Sequence, residues 1–390
     1  MLALAAWALA RAGAKVSPNA TVGQLSRPQQ HLVEIAKATA HQVRVLILDE
    51  PTAALTSEDA KHLFELCAEL KRRGVGIVYI THRFDELYRF ADRVTILRDG
   101  RRVGTFEANQ VDRAQLITYM TGREFREMFP TLPAPRGNTR LSAHEVRVPG
   151  RLAKTSFEVR EGEVLGLAGL DGSGKSELAR ALFGLEPAAD GTIIIDQREV
   201  NLRRVSPRQM IARGLMYLPA DRRKEGLALC RPVLENMTIS ALAGLSHFGF
   251  LAKAEERRRA GAVAARLRIK TPSLFSRTAL LSGGTQQKVM VSKALLAAVK
   301  VFVFDELTQG IDVGAKVDLY HFVQELAASG AAVVMVLSDM AEILNLCHRV
   351  LILCRGECVA CLSGAEISEP TVLRHYFGEK LVPTENAVGA

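Results

Sequence analysis

The stretch with the clearest chemical capacity is GLDGSGKS, Gly169 to Ser176, which fits G-x-x-x-x-G-K-[ST] between the apolar run EVLGLA and the helix-like SELARALFG. In such a pattern Gly169, Leu170, Asp171, Gly172, Ser173 and Gly174 form a loop whose backbone N–H groups wrap the β- and γ-phosphates of a nucleotide. Lys175 adds a positive charge, Ser176 offers its hydroxyl to Mg2+, and the N-terminus of the following helix favours the anion. About 130 positions further on, VFVFDE reads as an apolar strand ending in Asp305 and Glu306. One carboxylate would bind Mg2+ through water and the other would polarise an attacking water. Shortly before it, LSGGTQQ places Ser282, Gly283 and Gly284 where a helix opens, a second terminus suited to an anion. Taken singly, a run ending in Asp-Glu or a serine before two glycines could merely cap a helix. In this order they compose a nucleoside triphosphatase site.

The same chemistry begins earlier in the chain. VLILDEPTAAL, Val45 to Leu55, reads as a buried parallel strand that delivers Asp49 and Glu50 at its C-terminal end, yet no phosphate loop precedes it. Comparison of the chain with itself explains why. LSRPQQHLVEIAKA at Leu25 and LSGGTQQKVMVSKA at Leu281 stand 256 positions apart, as do DEPT at Asp49 and DELT at Asp305. Gly74 and Gly330, Arg93 and Arg349, Gly100 and Gly356, and Gly122 and Gly378 keep the same offset. A repeat this long means two copies of one αβ unit of about 250 residues rather than a solenoid. The expected organisation is therefore 1–128 as the C-terminal part of a first unit, 129–140 as a linker, 141–380 as a second unit and 381–390 as a tail. In the linker, FPTLPAPRGNTR, prolines and glycine interrupt any regular element. Met1 falls on Arg257, inside EERRRAGAVAARLRIK, a stretch of good helix formers. We therefore expect the chain to start in mid-helix and to be truncated at its N-terminus, with the first phosphate loop at position −87, outside the chain.

Composition sets the remaining bounds. A chain of 390 residues, 48% hydrophobic and 24% charged, is that of folded protein with room for two or three domains. MLALAAWALARAGAK lacks a basic lead and meets Arg11 after ten residues, short of the roughly 20 needed to span a bilayer. The net charge of +9 is dispersed, which suits solvated helix faces better than a nucleic-acid groove. Among six cysteines, Cys354, Cys358 and Cys361 lie in VLILCRGECVACL, which reads as strand, Arg-Gly turn, strand. Alternation would put Cys358 and Cys361 on opposite faces, a poor geometry for a metal, so they read as reduced structural thiols.

A phosphate loop, LSGGTQQ and an Asp-Glu strand in this order resemble an ABC-transporter ATPase cassette. The two-copy layout, RLRIKTPS at Arg266, DELTQGIDVGAK at Asp305, and VEIAKA followed by DEPTAALT in copy one resemble the fused-cassette ATPases of bacterial sugar importers, of the ribose, xylose and galactoside type, over nearly the whole chain. The resemblance implies an α/β fold of two tandem P-loop NTPase cassettes, each a parallel-sheet core with antiparallel and helical subdomains, the first incomplete at its N-terminus. It implies ATP and Mg2+ as cofactors and ATP hydrolysis coupled to carbohydrate uptake. The implied partners are membrane permease subunits, as a homodimer, and an extracytoplasmic sugar-binding protein, with no nucleic acid. The implied location is peripheral, on the cytoplasmic face of the plasma membrane. In that family each ATP is held by the phosphate loop of one cassette and the signature of the other. Carried onto this chain, Asp49 binds metal, Glu50 is catalytic, His82 in YITHR is the switch histidine facing the γ-phosphate, and Ser26 belongs to the first signature. In copy two, Ser176 and Asp305 serve the metal, Glu306 is catalytic, and Ser282, Gly283 and Gly284 form the signature.

Four departures bear on activity. Ser338 occupies the position of His82, Ala220 in YLPADR stands where the family has Gln or Glu, and Leu307 replaces the proline of DEPT. Arg27-Pro28 replaces two glycines, and proline removes an N–H that could face phosphate. We expect ATP binding at one site to outlast hydrolysis. Two other readings stand beside this one. Soluble twin-cassette ATPases act on the ribosome, but they carry a long charged linker. A truncated remnant would turn over little ATP. Which sugar is moved is not written here, since permease and binding protein choose it.

Overall fold

The runs VLGLA, VFVFD and AVVMVL lack polar alternation, and strands of that kind are stable where both faces are covered. All three are parallel strands of one sheet in the computed structural model, which describes residues 2–41, 43–52, 55, 57–81, 84–98, 100–122 and 128–378. The chain separates into two units, Met1–Phe125 and Arg126–Ala390.

The first unit contains α1 (Leu2–Arg11), α2 (Arg27–Thr39), β1 (Val45–Asp49), α3 (Ser57–Arg72), β2 (Gly76–Ile80), α4 (Phe84–Phe90), β3 (Arg93–Arg98), β4 (Arg101–Glu107) and α5 (Arg113–Thr121). Leu63, Leu66, Cys67 and Leu70 recur at helical spacing along α3 and pack with Leu32 and Ile35 of α2 and Leu46 and Leu48 of β1. β1 and β2 pair in parallel, and β3 and β4 form a separate antiparallel pair.

The second unit runs β5 (Thr139–Val148), β6 (Leu152–Arg160), β7 (Val164–Ala168), α6 (Lys175–Leu182), β8 (Asp190–Ile195), β9 (Arg198–Asn201), α7 (Pro207–Ala212), β10 (Leu215–Leu218), α8 (Val233–Thr238), α9 (Leu242–Leu245), β11 (Ser246–His247), β12 (Phe250–Leu251), α10 (Lys253–Arg266), α11 (Gly283–Leu296), β13 (Val301–Asp305), α12 (Val313–Ala328), β14 (Ala332–Leu337), α13 (Met340–Asn345), β15 (Arg349–Cys354), β16 (Glu357–Ser363) and α14 (Glu369–Tyr376). Its main sheet has the order β10-β13-β14-β7-β15-β16, parallel except for β16, and a four-stranded antiparallel sheet has the order β6-β5-β8-β9. One core joins both sheets and the helices around them.

The offset of 256 recurs element by element: β1 and β13, β3 and β15, β4 and β16, and α3 and α12 have bounds that differ by that number. Even a register shift repeats, between Ile96 and Leu97 and between Ile352 and Leu353. Burial does not repeat. Val45, Ile47, Val78, Ile80 and Leu97 are 49–68% exposed, whereas Val301, Val303, Val334, Val336 and Leu353 are 0% exposed. This corrects the expected buried strand at Val45: it is parallel, but it buries only Leu46 and Leu48. The reason is coverage. In the second unit β7 lies between β14 and β15, and α6 packs on β13 and β14. The described residues of the first unit hold no counterpart of either.

The register shift in β16 overturns a second expectation. Val359 and Ala360 are both buried in sequence, so Cys358 and Cys361 both fall on the exposed side instead of alternating. A bulge of this kind adds one residue to a strand and flips the facing of the residues beyond it.

The segment expected as linker is docked on the second unit. Phe129 stacks on Tyr320 at 4.9 Å, Gln324 Nε2 donates to the Thr131 carbonyl at 2.7 Å, and the Arg136 N–H donates to the Glu161 carbonyl at 2.7 Å. β5 begins at Thr139, inside the 129–140 range, because Thr139 already pairs with Arg160 of β6. His348 ties this segment to the sheet: its Nε2 faces the Pro133 carbonyl at 2.9 Å and its Nδ1 accepts the Val164 N–H at 2.9 Å. Accepting at Nδ1 requires a neutral ring, and burial pushes the His348 pKa below its ordinary 6.5. The unfolded chain then binds the proton more readily. The stabilisation is complete above about pH 6.5 and is lost as pH falls through and below that value. His348→Ala should cost about 1–3 kcal/mol at neutral pH. Its melting temperature should also fall less than that of the unaltered chain between about pH 7 and pH 5, which thermal denaturation at a series of pH values checks.

Candidate functional site

The site forms where buried parallel strands end. β7 runs into Gly169, whose φ of 157° leaves its Cα facing Leu353, where a Cβ would lie 2.3 Å from the carbonyl oxygen. Gly174, at φ 97°, is the N-cap of α6, and a Cβ there would lie 3.2 Å from the Arg151 carbonyl. Between them Leu170, Asp171 and Gly172 are exposed, while Ser173 is buried and its Oγ has no hydrogen-bond partner among the described residues. A loop closed by two such glycines and followed by a helix N-terminus is a cradle for anionic oxygen.

Lys175 opens α6 and is 5% exposed. Its Nζ donates to Glu306 Oε1 at 2.9 Å, to the Leu337 carbonyl at 3.1 Å and to Ser338 Oγ, and Ser338 in turn donates to Glu306 Oε1. A buried ammonium is tolerated because each donor is matched. Ser338 thus does not reproduce a histidine at this position; it bridges the lysine and the carboxylate. Glu306 itself sits in the left-handed region at φ 47°, its N–H held by the Val336 carbonyl at 3.1 Å.

Asp305 ends β13 and is 4% exposed. Ser176 Oγ donates to its Oδ1 at 3.1 Å and the Tyr217 hydroxyl to its Oδ2 at 2.7 Å. Burial pushes the Asp305 pKa up, against the pull of these two hydrogen bonds. Ser176 and Asp305 together present hard oxygen donors beside the phosphate loop, the donor chemistry that Mg2+ prefers, so the residues fit that ion. Ala220, just beyond β10, brings only a methyl group.

Ser282, Gly283 and Gly284 begin α11 and face other neighbours. Ser282 Oγ accepts the Thr285 N–H at 3.4 Å as an N-cap. A Cβ at Gly283 would lie 2.7 Å from an Arg222 nitrogen, and one at Gly284 would lie 2.9 Å from Ala315 Cβ. Arg222 also donates to the Gln309 and Gly310 carbonyls at 3.3 Å each, joining the turn after β10 to the segment after Glu306. In the first unit Asp49 and Glu50 end β1 and are exposed, and Glu50 repeats the left-handed turn at φ 44°. The Ser26 N–H and hydroxyl both donate to Gln29 Oε1 at 3.0 Å, and proline stands in the first turn of α2. His82 lies outside the described residues.

The structure therefore gathers Gly169–Ser176, Asp305 and Glu306 into one place. Tyr217 and Arg222 were not singled out from the sequence. LMYL reads as core, and nothing in it marks the hydroxyl. The only signal for Arg222 was its position two residues after Ala220 in ADRRKEG.

A glycine-cradled loop over a buried lysine, with a strand-end carboxylate pair opposite, is the arrangement of a P-loop fold. Residues 152–309 match the ABC transporter domain family. The chain is 42% identical over 380 residues, 97% of its length and 74% of the relative's, to a ribose/galactose/methyl galactoside import ATP-binding protein of Burkholderia cenocepacia. It is also 42% identical over 358 residues, 92% of its length and 71% of the relative's, to a ribose import ATP-binding protein of Chromobacterium violaceum. Among solved structures, the ADP conformation of the ABC-transporter cassette MJ1267 aligns with 62% of this chain and 99% of its own length at TM-score 0.51 and 23% identity, a likeness of fold. The chain belongs to the ABC transporter family, among the import ATP-binding proteins of the ribose/galactose/methyl galactoside type.

The Lys175–Glu306 pair occupies the ammonium and would have to open for an anion to take its place. Glu306→Gln replaces a charged acceptor with a neutral one, a difference of about 1 kcal/mol. Nucleotide affinity should tighten by about five-fold, read by titration with a fluorescent ATP analogue.

Proposed function

We propose that this chain is an ATP-binding and ATP-hydrolysing subunit that energises carbohydrate import through membrane permease subunits, at the cytoplasmic face of the plasma membrane. The observation that carries the reading is the convergence of Lys175, Ser176, Asp305 and Glu306 under a glycine loop, in a chain 42% identical to import ATP-binding proteins over nearly all of its length. Among the described residues no helix is long and apolar enough to cross a membrane. A homodimeric permease and an extracytoplasmic sugar-binding protein complete the proposed assembly.

In this reading the N–H groups of Gly169–Gly174 and the Lys175 ammonium hold the β- and γ-phosphates. Ser176 and Asp305 would hold Mg2+, which when bound neutralises phosphate charge. Glu306, released from Lys175 as the phosphates arrive, orients and polarises the attacking water. Catalysis is positioning plus electrostatic stabilisation of the transferred phosphoryl group. Ser338 and Ala220 add little toward the γ-phosphate and water, so this site binds ATP better than it hydrolyses it. Ser26 and Ser282–Gly284 are proposed as anion-facing signature residues, Asp49 as a metal carboxylate, and Glu50 and His82 as catalytic groups of the first unit.

Lys175→Ala removes charge-assisted contacts of about 1.5–3 kcal/mol. Mg-ATP affinity should drop by about ten- to a hundred-fold in equilibrium binding. Unchanged affinity would refute the assignment.

A further inference from the structure

Resting on the metal-site reading of Asp305 and Ser176, we propose that Tyr217 is a positioning residue that fixes the Asp305 carboxylate for the divalent cation. Asp305 is buried, and its two oxygens are differentiated: Oδ1 faces Ser176 Oγ at 3.1 Å, while Oδ2 accepts the Tyr217 hydroxyl at 2.7 Å. Tyr217 comes from β10, the strand beside β13, in register with Val303. Its side chain is 5% exposed, and its ring lies 5.8 Å from that of Phe183 at the C-terminal end of α6.

The consequence is mechanical. A carboxylate free to rotate about Cβ–Cγ presents either oxygen, or both, to a cation. A phenol held by its own packing donates one hydrogen bond to Oδ2 and restrains that rotation, while each oxygen keeps a lone pair. Oδ1 is left aimed at the Ser176 hydroxyl. The same helix therefore sets both donors, carrying Ser176 in its first turn and, in Phe183, the ring that packs against Tyr217. Ala220, three residues further on, has no polar side-chain atom with which to share this task. Partners that orient a ligating carboxylate in this way contribute to metal affinity without touching the ion.

Tyr217→Phe keeps the ring and deletes the donor. With ATP present, Mn2+ titrations followed by electron paramagnetic resonance should show affinity weakened by about ten-fold relative to the unaltered chain. ATP affinity in excess chelator, where no metal is bound, should stay within about two-fold. Equal Mn2+ affinity in the two proteins would overturn the role of Tyr217 alone. Loss of metal-free ATP binding in step with Mn2+ binding would also overturn it, marking Tyr217 as structural only. Failure of the unaltered chain to bind Mn2+ with ATP would overturn the metal site and this proposal together.

Discussion

The chemistry of the second unit depends on three strands buried side by side. β13, β14 and β7 exchange backbone hydrogen bonds in parallel, with Val303 opposite Val334 and Val334 opposite Leu165. That ladder fixes where each strand stops. Gly169, the Asp305–Glu306 pair and Ser338 leave the sheet at one end because their strands end there together. The arrangement also sets the main electrostatic problem, since it places an ammonium and two carboxylates where water is scarce. The answer is mutual satisfaction: Lys175 with Glu306, Ser338 and a carbonyl, and Asp305 with two hydroxyl donors.

The parts that could be read from the sequence are those whose cause is local. The phosphate loop is a short run whose glycines are required by the backbone around them. The apolar runs of β7, β13 and β14 state their own burial. The repeat is a comparison of the chain with itself and needs no geometry. What escaped reading depends on neighbours far along the chain. VLILD and VFVFD have the same pattern, yet only the second is covered on both sides, because coverage comes from β7 and α6 rather than from the strand itself. The extra residue in β16 carries no glycine or proline to mark it, so the cysteine alternation failed there. Tyr217 in LMYL looks like any core aromatic until the neighbouring strand sets Asp305 beside its hydroxyl.

The two units separate what the backbone sets from what packing sets. Glu50 and Glu306 share a left-handed φ, 44° and 47°, and each N–H bonds the carbonyl of an adjacent strand, Ile80 or Val336. A non-glycine residue held in this region carries a cost of about 1–3 kcal/mol, met by surroundings that leave it no alternative. The turn persists in the first unit although Asp49 and Glu50 are exposed there. It therefore belongs to the strand-to-helix connection itself, and the burial that makes its carboxylates chemically useful is supplied separately.

The exposed strand face of the first unit has a consequence for handling the protein. Val45, Ile47, Val78 and Ile80 present large β-branched side chains on paired strands. In the second unit the β7 side of the equivalent strand is already taken. An exposed apolar face on paired strands favours association with other chains. Among the described residues, this face of the first unit is a place where association between chains can start. Loss of solubility on concentration need not signal damage to the nucleotide site.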